Sequence, residues 1–179
     1  MNSKMLPEEL QSFLSKDSTQ VFLRCAEDFV RLMEQKDIDQ ATFNREFHST
    51  LVNLYTSGHH LEEVELKYAT ADKEFDRASL FVNANAMKVS GFGKDAFYWE
   101  IFDPAYSEMD KEPTQGFLVD DCIDIYHDLK IELNKLKLGT AEAVEDALWQ
   151  MKFSHKNHWG QHCINALRCL HFLWYDGRR

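Results

Sequence analysis

Apolar residues recur at steps of three and four through most of this chain, the spacing that lays one stripe along an α-helix. Phe22, Cys25, Phe29 and Leu32/Met33 mark a helix over 18–36, with Asp17 or Ser18 as its cap. Asp39 caps a second helix that carries Phe43, Phe47, Leu51 and Leu54/Tyr55 and stops near Gly58. The charged segment "HHLEEVELKY" (59–68) is weakly periodic, either a loop or a frayed helical turn. A third helix starts at Thr70 or Asp72, passes through Phe75, Ala78, Val82 and Val89, and ends at "SGFG" (90–93). The aromatic stretch "FYWEIFDP" (97–104) fits an extended segment or a short buried helical turn, and 105–116 reads as the longest loop.

The periodicity then returns. Cys122, Ile125/Tyr126, Leu129, Leu133 and Leu136 stripe a helix over 118–138 that Gly139 closes. Asp120 and Asp121 in its first turn and Lys135 and Lys137 in its last complement the helix dipole. After the cap Thr140, helical spacing runs on through Val144, Leu148, Met151, His155 and Trp159 to Leu170 and Leu173. A rod of that length would measure about 52 Å, too long for so small a domain. A bend or break is therefore expected near 155–160, with Asn157 as the new cap and Gly160 as the weak point. The fold class predicted is all-α: one domain over 1–179, a bundle of five or six helices.

Composition supports a core, since 44% of the residues are apolar and 13% aromatic. A chain of 179 residues suits one domain. The net charge of −10, 30 acids against 20 Lys and Arg, argues against nucleic acid as a partner and offers an anionic membrane no basic patch. No apolar stretch is long enough to span a bilayer, and "MNSKMLPEEL" lacks the apolar core of a signal peptide, so a cytoplasmic location is expected. Cys25, Cys122, Cys163 and Cys169 are scattered without a C-x-x-C pair and read as buried free thiols.

The densest chemistry lies in "HWGQHCINALRCLH" (158–171). On a helix, Trp159, Cys163, Ala166, Leu167, Leu170, Leu173 and Trp174 fall on one apolar arc. His158, His162, Asn165 and Cys169 follow along its edge as a polar ridge, and His171 sits near the opposite edge. Histidines at i and i+4 can share one metal, and the fourth helix offers Asp120, Asp124 and Asp128 on one face with His127 beside them. The competing reading makes these groups hydrogen-bonded struts between helices. "SGFGKD" is a helix stop rather than a phosphate loop, and His162 and Cys163, as helix neighbours, point apart and make no nucleophile pair.

Three phrases, "EIFDP" (100–104), "DDCIDIYHDLK" (120–130) and "ALWQMKFSHKNHWGQHCINALRCLH" (147–171), resemble a bacterial family known as a domain of unknown function. The likeness covers about 95–175; the first 90 residues are similar only in being helical. It implies a small cytoplasmic helical protein, and no activity, cofactor or partner. Asp103, Pro104, Asp120, Asp121, Asp124, Asp128, Trp149, Trp159, Gly160, Ala166, Leu167 and Arg168 carry over onto its pattern. Histidines at 158 and 162 are not demanded by that pattern, which weighs against metal and leaves Asp121, Asp124, Trp159 and Arg168 as candidates for a shared role.

Arg168 lies almost opposite the apolar arc and is expected to pair with Asp121 or Asp124. Ile164 and Phe172 also lie off that arc and need a second buried surface, such as a homodimer interface or another helix. The function expected is thus a non-catalytic binding, regulatory or assembly module without a cofactor, with Asp121, Asp124, Asp128, Trp159 and Arg168 as binding candidates and a protein partner or second copy as the ligand. The alternative is a metal-dependent hydrolase holding a divalent ion on His158, His162, Asp124 and Asp128 between the fourth and last helices.

Overall fold

A computed structural model describes residues 5–68, 88–101, 105 and 112–175. In them the chain is helical apart from one small ribbon. The order is α1 (Glu8–Ser15), α2 (Asp17–Glu34), α3 (Gln40–His60), a 3-10 segment (Lys88–Ala96), β1 (Phe97–Glu100), β2 (Thr114–Phe117), α4 (Leu118–Leu136), α5 (Ala141–Asn157) and α6 (Trp159–Tyr175). The all-α class holds, with a two-stranded antiparallel sheet added. Of the helix expected from Thr70 or Asp72 through Val89, residues 70–87 lie outside the described residues, as do Asp103 and Pro104; its end at Val89 and the stop expected at 90–93 fall within the 3-10 segment. No helix among the described residues is long and apolar enough to cross a membrane.

Local signals explain most boundaries. The Asp39 carboxylate accepts from the Thr42 backbone N–H at 2.9 Å, and the Thr140 hydroxyl accepts from the Ala143 N–H, so both caps act as the side-chain chemistry requires. Gly139 ends the α4 turn at φ 65°, a conformation that favours glycine. The caps expected for α2, Asp17 and Ser18, instead lie inside it, because α1 runs into α2 through an extended Lys16. The periodic reading missed α1, a helix too short to show a stripe, which buries Leu10 against Val144 and Leu148.

Gly58, which reads as a helix stop, and Gly160, which reads as the weak point of the break, are both sites of close approach. Gly58 lies inside α3, where an added Cβ would sit 2.5 Å from the Trp159 ring. That ring is fully buried, stacks on Phe22, and donates from its indole N–H to the Met151 carbonyl at 3.2 Å. Gly160 lies just past the break, where a Cβ would stand 2.0 Å from the His155 carbonyl oxygen. The break itself falls at His158 (φ −147°, ψ −91°). Asn157 does not cap the new helix; it ends α5 and its side-chain amide donates back to the Phe153 carbonyl.

The loop expected over 105–116 gives way at its end to β2, paired in register with β1 so that Tyr98 faces Gly116 and Phe97 faces Phe117. The Tyr98 ring lies across Gly116, whose missing Cβ leaves that space. On α6 the arc is buried at Trp159, Cys163, Ala166 and Leu170, and burial fades at Leu173 until Trp174 is exposed. Cys169, placed on the polar ridge by sequence, is buried. The four cysteines are free, and all but Cys25 are buried. Burial pushes the Cys122 and Cys163 thiols far up and Cys169 to about 11, so all three stay protonated at neutral pH. The site described next follows from two contacts: α6 packs along α4, and the ribbon lies against the start of α4.

Candidate functional site

At the seam between α4 and α6, carboxylates from α4 meet one imidazole from α6 and one from the α5–α6 break. The His162 Nδ1–H donates to Asp121 Oδ1 at 2.8 Å, and the His158 Nδ1–H donates to Asp128 Oδ2 at 2.8 Å. Ionised carboxylates only accept, so each pair assigns the proton to Nδ1 and leaves Nε2 as the uncommitted nitrogen. The match joins the break to the helix: His158 at the α5–α6 break and His162 in the first turn of α6 face aspartates seven apart on α4, two turns along one face.

Asp121 is the anchor. It is buried, and its second oxygen accepts from the Tyr98 hydroxyl at 2.6 Å, tying β1 to both helices. Burial raises its carboxyl above the usual range, opposed by the two hydrogen bonds. The His162 imidazole is likewise raised, first by its bond to Asp121 and then by the charges of Asp121, Asp124 and Asp120. Both shifts describe one pair that holds its proton to higher pH than either group alone. Burial and the same carboxylate keep the Tyr98 phenol protonated as a donor. Glu100, two residues along the same face of β1, is also raised, by burial and then by Asp121.

Asp124 lies between the two histidines. Its Oδ2 is 3.4 Å from His162 Nε2, longer than a good hydrogen bond. One ligand atom each from Asp124, His158 and His162 lie within 4.8 Å of one another. Two ligand atoms held about 2.1 Å from an ion across a tetrahedral angle stand about 3.4 Å apart. The Asp124–His162 separation already has that value. The separations to His158 are at most 4.8 Å, so that ligand draws in by up to about 1.4 Å, and His158, half exposed and held through Asp128, is the one that moves.

The remaining expected residues separate from this cluster. Trp159 is a core anchor, as described above. Arg168 is exposed, and among the described residues no ion pair joins it to Asp121 or Asp124. Its charge is felt by Glu100. Asp128 holds His158 from behind rather than facing the ligand atoms. Tyr98 and Glu100 were not among the expected residues. Their alternation in "FYWE" could have placed both on one strand face, but the strand itself was ambiguous.

Among solved structures the chain is similar to protein BF1032 from Bacteroides fragilis, at 20% identity and a TM-score of 0.71, over 93% of this chain and 98% of that one. That likeness speaks for the fold alone. No curated protein matches the chain. A family model described as "Domain of unknown function (DUF5063)" matches residues 14–176, reaching well beyond the 95–175 stretch in which its phrases stand out. The chain belongs to this family.

Proposed function

We propose that the protein is a divalent-metal-binding helical module, holding one ion between α4 and α6 on Asp124, His158 and His162. The observation supporting this is that each imidazole is held through Nδ1 by its own carboxylate, Asp121 or Asp128, while the His162 Nε2 stands 3.4 Å from Asp124 and a ring nitrogen of His158 lies within 4.8 Å of both. Metal-ligating histidines almost always carry such a backing partner, which fixes the tautomer and raises the basicity of the ligating nitrogen. A strut needs no third carboxylate facing the free nitrogens. Two nitrogens and one carboxylate oxygen suit zinc, iron, cobalt or manganese better than calcium or magnesium.

Elemental analysis of protein purified without an affinity tag and dialysed against zinc tests the reading. About one ion per chain is expected, falling to background in the His158→Ala/His162→Ala variant. No stoichiometric ion, or one that survives the double substitution, returns the pairs to struts and the protein to a cofactor-free binding module.

A second reading concerns self-association. Ile164 and Phe172, eight residues apart on α6, are 48% and 58% exposed, so the second covering surface they were expected to need is not supplied by the described residues. A second copy of the chain packed through α6 would bury them. Light scattering across a concentration series decides: a strict monomer removes this reading.

A further inference from the structure

We infer that the α4–α6 groove, with its ion bound, hydrolyses uncharged or cationic acyl compounds (esters or amides), and that Asp120 takes the proton from the attacking water. The inference rests on the metal-binding reading. Three protein ligands leave an ion at least one open coordination position, the arrangement of catalytic rather than structural sites. Here the open side faces solvent: His158 is half exposed and Asp124 is 35% exposed.

Asp120 is the carboxylate placed to serve that side. It lies one helical turn before Asp124 on the same face of α4 and is exposed. Its charge reaches His162, so it lies near the ligand cluster without belonging to it. Asp121 and Asp128 are committed to the histidines and cannot take this part.

Charge selects the substrate. Asp120, Asp121, Asp124 and Asp128 outnumber the two positive charges of a bound dication, and Glu100 adds to them from β1. A phosphate ester would enter against that field; a neutral or cationic carbonyl compound would not. In the step itself, the water oxygen bonds to the acyl carbon while Asp120 accepts its proton. The C–O or C–N bond then breaks, and the leaving group takes the proton back from Asp120, giving acid plus alcohol or amine.

The test compares zinc-loaded wild type, Asp120→Asn and His158→Ala/His162→Ala on 4-nitrophenyl acetate, a lysine 4-nitroanilide and 4-nitrophenyl phosphate, with metal content measured on each sample. Expected is turnover of at least one acyl substrate and none of the phosphate. Asp120→Asn should keep its ion and its fold and lose about a hundredfold in rate, the scale of general base catalysis. Bound metal with no acyl turnover, faster turnover of the phosphate, or full activity in Asp120→Asn each overturns the inference while sparing the metal site. Absence of metal in the wild type overturns the earlier reading instead.

Discussion

Replacing Asp121 by Asn tests the geometry of the site most directly, because it removes one charge and little volume. The native carboxylate is buried and accepts two hydrogen bonds, from Tyr98 at 2.6 Å and from His162 at 2.8 Å. A hydrogen bond to a charged group contributes about 1.5–3 kcal/mol, and Asn retains one acceptor oxygen, so the metal-free variant should lose about 2–3 kcal/mol at pH 6. The loss should depend on pH. His162 is raised above 6.5 in the folded state, so its contribution is complete below that value and fades as pH rises through the folded pKa. The Asp121 carboxyl is raised as well, so keeping it ionised in the fold becomes a cost once the imidazole is neutral, and Asn removes that cost. Both effects narrow the gap between wild type and variant at high pH. Urea denaturation in the presence of a chelator, at pH 6 and pH 9, measures it. A gap equal at both values, or wider at pH 9, refutes the pairing. With zinc, the same variant should bind about 10–100-fold more weakly, the usual effect of losing a ligand's backing carboxylate.

Two predictions concern the frame around the site. Gly160→Ala places a Cβ 2.0 Å from the His155 carbonyl, and because backbone rather than a flexible side chain stands there, the α5–α6 break must open. A loss of roughly 3 kcal/mol or more is expected, and a melting temperature within a degree or two of wild type would contradict it. Glu132 is buried beside Lys135, and burial lifts its carboxyl from 4.5 to about 7. The folded state then binds more protons than the unfolded across that window, and stability falls as pH rises through it. Glu132→Gln should therefore be the more stable protein at pH 8, by at most about 3 kcal/mol, with the advantage vanishing toward pH 5. Equal stability at both pH values would mean that Lys135 fully compensates the charge.

The helices were legible because each signal was local: a stripe every three or four residues, a cap at Asp39 or Thr140, a glycine at 139. The facing of His158 and His162 toward α4 could also be read, since i, i+4 spacing and an acidic stripe constrain each helix separately. What escaped is what depends on the third dimension. The β1–β2 pairing joins residues fourteen to twenty apart, and an aromatic stretch such as 97–102 fits a short helical turn as well as a strand, so neither Tyr98 nor Glu100 was visible as part of the site. Gly58 reads as a helix stop and Gly160 as the weak point of a break, yet the Trp159 ring and the His155 carbonyl lie where their Cβ atoms would be. Nothing in a sequence says what a missing Cβ would have met. The pairing expected of Arg168 also depends on the third dimension: helix periodicity placed it nearly opposite the apolar arc, and it is exposed with no ion pair to Asp121 or Asp124 among the described residues.

The energetics of the seam also bear on why it is polar. A buried carboxylate–imidazole pair is poor at stabilising a fold, because desolvation offsets most of the attraction and an apolar pair of similar size often does better. If holding α4 against α6 were the only demand, the arc from Trp159 through Leu170 already meets it. The pairs therefore need another reason, and their geometry supplies one. A strut is best served when both imidazole nitrogens are bonded. Here His162 uses Nδ1 fully and leaves Nε2 at 3.4 Å from Asp124, too far for a good hydrogen bond and the right separation for two atoms sharing an ion. The fold spends stability at Asp121 to aim a nitrogen that then bonds nothing strongly, which is the arrangement expected of a ligand.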